Sequence, residues 1–241
     1  MRAPSSKPAA KTRVVVADDH PFLRAGLATM INAQPDFACV GEADTVANTQ
    51  KKIAEQKPDM AVVDLFMGDG DGLELIKTLR AQHEGLRILV LSQHEESLYA
   101  ERALRAGAQG YIMKQREPAE VLAALRAILT GELYVSPRIA AMLLRRTLQG
   151  RPAAPGSGVD SLTDRELQVF RLLGTGLSTR RIAEELNLSF KTIETYRENI
   201  KHKLGLADAS ALLHQANDWV QKNTPMPKPE DLAAAGRRAT G

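Results

Sequence analysis

Five short apolar runs fall in the first half of the chain, at residues 13–17, 37–41, 60–65, 87–91 and 110–113, separated by longer amphipathic segments. Runs of this length alternating with helical spacing read as parallel strands joined by helices, because a strand covered on both faces needs apolar residues at every position. The intervening segments carry helical stripes. Phe22, Leu23, Leu27, Met30 and Ile31 mark the first; Leu73, Leu75, Ile76 and Leu79 mark the third. Leu98, Ala103 and Leu104 suggest a shorter fourth helix, and Pro118 opens a fifth with Val121, Leu122, Leu125, Ile128 and Leu129 turned inward. Five such repeats predict an α/β fold, a (βα)5 doubly wound sheet of flavodoxin type.

Polar side chains end four of these runs: Asp18 and Asp19, Asp64, Ser92, and Lys114. Parallel strands bring their C-terminal ends to one edge of the sheet, where open α/β folds build their sites. Three carboxylates, a hydroxyl and an ammonium are therefore expected in one pocket. Carboxylate oxygens suit Mg²⁺, while an ammonium and a hydroxyl suit a phosphoryl group. Taken singly, each residue has a plainer reading: a helix cap for Asp18-Asp19 or Ser92, a surface lysine for Lys114, core packing for Tyr111.

The second half has another pattern. A helix is expected from Pro137 to about Leu148, followed by a Gly/Pro-rich connector at residues 150–158. Residues 161–221 read as all-α. Thr163 and Glu166 form a capping-box signature, and Ser178 and Ser189 stand as caps of two further helices joined by a tight turn at Asn187-Leu188. Gly205 stops the second of them. Two helices joined so closely make a helix-turn-helix within a four-helix domain.

Charge alone does not identify a partner. The net charge is +3 and the pI about 9.0, but residues 11–134 hold four more acidic than basic side chains, residues 135–160 three more basic, and residues 161–221 balance. The excess sits in the connector and the ends, so local pattern must decide. Cys39 is the single cysteine, which excludes an intramolecular disulfide and a cysteine metal cluster and suits the cytoplasm. No apolar run approaches the roughly 20 residues of a membrane-spanning helix. Residues 1–11 and 222–241 read as disordered ends.

The motifs Val-Val-Ala-Asp18-Asp19-His20-Pro21, Val-Val-Asp64-Leu-Phe-Met, Leu-Ser92 and Tyr111-Ile-Met-Lys114 resemble the receiver domain of bacterial response regulators over residues 12–131. The resemblance implies that Asp64 accepts a phosphoryl group from a sensor histidine kinase. It further implies that Asp18, Asp19, Asp64 and the backbone carbonyl of Phe66 hold Mg²⁺, and that Lys114 and Ser92 meet the phosphoryl oxygens. Tyr111 would follow Ser92 as a switch. One departure is Gly68 where the family has proline; Asp69 and Asp71 beside it read better as turn residues than as cation ligands.

Leu162-Thr-Asp-Arg-Glu166, Gly176-Leu-Ser178, Ile182-Ala-Glu-Glu-Leu186, Lys191-Thr-Ile-Glu-Thr195 and Lys203-Leu-Gly-Leu206 are similar to the LuxR/NarL-type DNA-binding domain. Family alignment places base contacts at Glu194, Thr195 and Glu198, with Lys191, Thr192, Arg197 and Lys201 toward phosphates. Tyr196 stands where many relatives have histidine. The competing reading makes Glu194 and Glu198 a solvated face paired with Arg197 and Lys201. Residues 132–160 are expected to link the two domains. The resemblance to NarL/FixJ-type response regulators implies a transcription regulator rather than an enzyme, a homodimer when phosphorylated, promoter DNA as partner, and RNA polymerase as a further possible one. Two rivals remain: a receiver whose helical domain contacts only proteins, and a DNA-binding protein that is not controlled by phosphorylation.

Overall fold

The computed structural model describes residues 10–67, 70–93, 96–148 and 158–223. Gly68 and Asp69, most of the Gly/Pro-rich connector and nearly all of both ends expected to be disordered lie outside the described residues. The chain divides into two compact units, 1–154 and 155–241, each taken by itself.

The first unit alternates strand and helix: β1 (Thr12–Ala17), α1 (Pro21–Asn32), β2 (Phe37–Ala43), α2 (Val46–Gln56), β3 (Met60–Val63), α3 (Gly72–Gln82), β4 (Arg87–Ser92), α4 (Glu96–Ala106), β5 (Gly110–Met113) and α5 (Pro118–Leu129). The strands pair in parallel in the order β2-β1-β3-β4-β5. Alternate residues Val14, Val16, Met60, Val62, Leu89, Leu91 and Ile112 join α1 and α5 in one core. The residues between them, such as Val15, Ala61, Val63, Ile88 and Val90, are equally buried on the other side. Burial on both faces explains why the runs of β1, β3, β4 and β5 are uniformly apolar, while β2 at the sheet edge is only partly buried.

The helical stripes are only partly as expected. Leu73, Leu75, Ile76 and Leu79 of α3 are all buried, whereas Phe22, placed on the inward stripe of α1, is 93% exposed. Leu23 in the same first turn already packs against the core, and Phe22 leaves the helix about 100° of rotation away from it, on the side turned from the stripe. The fourth helix is not short: α4 has 11 residues, as α2 and α3 do. Its packing uses Tyr99, Ala100, Ala103 and Ala106, and alanines give a weak hydrophobic pattern although they pack closely.

A helix α6 (Pro137–Leu148) follows, and its approach is part of the first unit. Tyr134 adds an isolated parallel bridge beside β5, its N–H donating to Gln109 O at 2.9 Å and its carbonyl accepting from Tyr111 N at 2.8 Å. Gly110 permits this: a Cβ there would lie 3.0 Å from Tyr134 O and 2.9 Å from Ile128 Cδ1. Ser136 caps α6 through Ile139 N, while its own N–H donates to Glu96 Oε1 at 2.7 Å. α6 thereby rests on α4.

The second unit is helical: α7 (Asp164–Gly174), α8 (Thr179–Glu185), α9 (Phe190–Leu204) and α10 (Ala209–Asn223). Thr163 and Glu166 form the capping box in both directions. Ser178 and Ser189 accept hydrogen bonds from Arg181 N and Thr192 N, so both expected caps are in place. Between α8 and α9, Asn187 turns the chain at φ 52°, a left-handed conformation that asparagine tolerates. Gly205 closes α9 at φ 64°. Leu167, Phe170, Ile182, Ile193, Ile200, Leu212 and Ala216 fill the core, with Phe170 edge-on to Trp219 at 5.9 Å. Gly174, the last residue of α7, has a packing reason. A Cβ there would lie 2.3 Å from Ala216 O, so α10 crosses α7 against bare backbone.

Candidate functional site

The C-terminal ends of β1, β3, β4 and β5 bring Asp18, Asp64, Ser92 and Lys114 together. Backbone hydrogen bonds continue each strand past its last apolar residue: Asp18 N to Ala43 O at 3.0 Å, Asp64 N to Ala17 O at 2.9 Å, and Lys114 N to Ser92 O at 2.8 Å. Asp18, Asp64 and Ser92 are buried. The Lys114 side chain is only 9% exposed, and its Nζ lies 2.8 Å from both Asp18 Oδ2 and Asp64 Oδ2. One ammonium thus bridges two buried carboxylates.

The electrostatics follow from burial. Desolvation pushes the Asp64 carboxyl above the ordinary carboxylate range, against the opposing pull of Lys114. For Lys114, desolvation works against the ammonium, but Asp64 and Asp18 together outweigh it and hold its pKa above the usual lysine value. Two carboxylates around one cation leave an excess of negative charge.

Asp18, Asp19, His20 and Asp64 each place one ligand atom within 4.8 Å of the others. Asp19 Oδ1 is 2.8 Å from His20 Nδ1, yet the angle makes no hydrogen bond, and this buried oxygen has no hydrogen-bond partner among the described residues. A hard divalent cation needs oxygen donors of this kind, so the donor set fits Mg²⁺. This is an acidic pocket of the type in which receiver domains hold that ion.

Two neighbours were not singled out from the sequence. His20 Nδ1 lies 3.1 Å from Asp18 Oδ1 and 3.4 Å from Lys114 Nζ, and Arg24 Nη1 donates to Asp18 O at 2.5 Å. Their signal was present: His20 directly follows the acidic pair, and Arg24 stands one turn into α1. Phe66 is buried beside Asp64, its N–H donating to Asp64 Oδ1 at 3.2 Å and its ring meeting Tyr99 edge-on at 5.2 Å. Tyr111 is 1% exposed and packed within the fold. Asp71 serves as a cap, accepting from Leu73 N and Glu74 N at the start of α3. Gly72 after it meets Leu65: an added Cβ would lie 2.5 Å from Leu65 Cα. Gly72 therefore returns directly against the backbone of Leu65, its N–H donating to Leu65 O at 3.2 Å.

On α9, Ile193 and Ile200 are fully buried, and Leu204 is only partly so. Lys191, Thr195 and Glu198 are exposed, while Thr192, Glu194, Arg197 and Lys201 are intermediate. Intrahelical pairs occupy much of this face. Glu194 Oε1 is 2.8 Å from Arg197 Nη1, and Glu198 Oε1 is 2.9 Å from Lys201 Nζ. Thr192 Oγ1 lies 2.7 Å from the capping Ser189 hydroxyl, and Thr195 Oγ1 donates to Lys191 O. Arg197, expected to face phosphates, instead reaches α8 and donates to Thr179 Oγ1 at 2.6 Å. Lys203 anchors the far end of α9, its Nζ donating to Glu166 Oε2 at 2.6 Å. That contact was not foreseen, because nothing local to either segment shows that residues 37 apart will meet.

The description "Response regulator receiver domain" matches residues 14–126, and "Bacterial regulatory proteins, luxR family" matches residues 160–216. Response regulator GacA of Pseudomonas viridiflava is 34% identical over 195 residues, covering 81% of this chain and 90% of the relative. Transcriptional regulatory protein UhpA of Salmonella typhimurium is 34% identical over 205 residues, covering 85% and 97%. Among solved structures, RcsB from Salmonella enterica serovar Typhimurium, bound to promoter rprA in the presence of phosphomimetic BeF3−, is 27% identical with a TM-score of 0.54, covering 86% of this chain and 99% of that one. Among the described residues, no helix is long and apolar enough to cross a membrane. With the acidic pocket at the sheet edge, a helix-turn-helix later in the chain and relatives matched nearly end to end, the chain belongs to the LuxR family of two-component response regulators, transcription regulators whose promoter binding is controlled by phosphorylation.

Proposed function

We propose that Asp64 is the phosphoacceptor of this regulator, charged by a sensor histidine kinase in the cytoplasm. An Asp64 carboxylate oxygen attacks the phosphorus of a phosphohistidine; the P–N bond breaks, and the imidazole leaves as a neutral ring after taking a proton. Like charges oppose this approach, so neutralisation is the main task of the pocket. Asp18, Asp19, Asp64 and the Phe66 carbonyl would hold Mg²⁺, which supplies part of that neutralisation. Lys114 supplies the rest by following the charge from the Asp64 carboxylate to a phosphoryl oxygen. The Ser92 hydroxyl donates to another phosphoryl oxygen, and Tyr111 repacks behind it.

The observation that carries this reading is the Lys114 ammonium held 2.8 Å from two buried carboxylates at one sheet edge. Such a cation is retained in one arrangement by Asp64 and recruited to another once Asp64 is modified, which is a population shift between two states. The favoured state dimerises and places two copies of α9 on paired half-sites. Within α9, Glu194, Thr195 and Glu198 read bases, and Lys191, Thr192 and Lys201 meet phosphates. The working boundaries are 12–131 for the receiver, 132–160 for the link and 161–221 for the DNA-binding domain.

Acetyl phosphate with Mg²⁺ should add one phosphoryl mass to the wild type and none to Asp64→Asn. Promoter affinity, measured on the same samples, should rise only for the wild type. Equal labelling of both proteins, or equal DNA affinity before and after labelling, overturns the proposal.

A further inference from the structure

Arg197 has the charge of a backbone contact but not the freedom of one. Its side chain is 19% exposed, and Nη1 is shared between Thr179 Oγ1 at 2.6 Å and Glu194 Oε1 at 2.8 Å. Thr179 is the first residue of α8 and Glu194 lies in the second turn of α9. The guanidinium therefore spans the two helices of the helix-turn-helix and ends on a side chain assigned to base reading. Lys191, three residues before Glu194 and exposed, has the opposite character.

The consequence falls on Glu194. A glutamate carries three rotatable bonds, and an unrestrained one must be ordered when it binds. Here Oε1 is fixed by a planar donor that is itself anchored on a neighbouring helix, and Oε2 takes no part in that bond. A carboxylate oxygen held at a defined place can accept from a cytosine amino group and disfavours bases that present an acceptor there. Arginine suits the task because the planar guanidinium fixes the directions of the two Nη1 hydrogens, which a freely rotating lysine ammonium does not.

We propose that Arg197 is a positioning residue for sequence recognition: it sets the Glu194 carboxylate for base reading and leaves the phosphate backbone to other side chains. This rests on α9 being the DNA-facing helix, and the test separates the two ideas. The full chain, treated with beryllofluoride and Mg²⁺, selects duplexes from a pool with a randomised centre, and the enriched sequences give its base preferences. Affinity for the best duplex is then followed against salt. Arg197→Met should flatten the same base position as Glu194→Ala, each by roughly tenfold in preference. The double variant should flatten it no further. The slope of log affinity against log salt should stay at the wild-type value, whereas Lys191→Ala should reduce it by about 0.9.

Thr179→Val, which removes the other anchor without changing charge, should weaken the same base position partially. It supplies the answer if Arg197→Met does not fold by circular dichroism. A preference profile unchanged in Arg197→Met, or in Thr179→Val if that is the folded variant, overturns the positioning role. A salt slope lowered by about 0.9 in Arg197→Met overturns it as well, and makes Arg197 a backbone contact. A wild type that selects no sequence at all fails at the earlier step and removes the DNA-facing reading along with this one.

Discussion

Lys114 stands 2.8 Å from Asp64 and Lys201 stands 2.9 Å from Glu198, yet the two contacts belong to different physics. In the pocket both partners are buried, at 9% and 2% exposure; on α9 the glutamate is 67% exposed. Water screens the second pair and lets either partner leave. The first pair can be broken only if another charge replaces one member. A switch needs that dependence, and the exposed pair on α9 does not have it. Distance alone would have called the two contacts alike.

The sharpest way to break this contrast is Lys114→Met. Removing the ammonium leaves two buried carboxylates facing each other, and the receiver should lose roughly 3 kcal/mol by urea unfolding in the presence of EDTA. Mg²⁺ should restore part of the loss, and should stabilise the variant more than it stabilises the wild type. If Lys114→Met and Lys201→Met are equally mild, burial does not distinguish the pairs.

Gly174→Ala tests the packing of the second unit without touching charge. Its Cβ would meet the Ala216 carbonyl, which belongs to backbone and cannot swing aside. A loss of about 2 kcal/mol is expected in the helical unit, seen as earlier loss of the Trp219 fluorescence signal. Gly176→Ala serves as the comparison: it has open space but a φ of 84°, and its cost comes from backbone strain alone.

Asp36 and Arg126 form a surface pair with two hydrogen bonds, at 2.8 and 3.1 Å. The Arg126 side chain holds the Asp36 carboxyl below the ordinary value of 3.8. A depressed pKa means that the folded state favours the charged form. The stabilisation is therefore complete above pH 3.8 and lost as the pH falls through the lower folded value. Solvent screening keeps it at or below about 1 kcal/mol. Asp36→Asn should thus be slightly less stable than wild type at neutral pH, with the gap closing below pH 3.8. Smallest of all, Glu198→Gln should change stability by no more than about 0.5 kcal/mol, while altering which duplexes are bound.

The elements of the receiver were legible because β1, β3, β4 and β5 are largely buried on both faces and each runs into a polar residue. Those two facts place Asp18, Asp64, Ser92 and Lys114 on one edge before any contact is known. The caps Thr163, Ser178 and Ser189 were legible for a similar reason: a helix end needs a hydrogen-bond acceptor within three residues, so the signal is local. Phe22 was misplaced because, although it adjoins Leu23 in sequence, it leaves the helix about 100° away from the stripe of Leu23, Leu27 and Ile31 that packs on the core. α4 was underestimated because its buried alanines carry little hydrophobic signal.

The (βα)5 order, the polar strand ends, the helix-turn-helix and the family all follow from spacing along the chain. That Lys114 bridges both acids, that Tyr134 closes onto β5, that Gly174 admits α10, and that Arg197 turns toward Thr179 came from packing alone. The reason is geometric. Local periodicity fixes which face a side chain leaves from, but the partner it finds there comes from segments tens of residues away, and only chain packing brings them within hydrogen-bonding range.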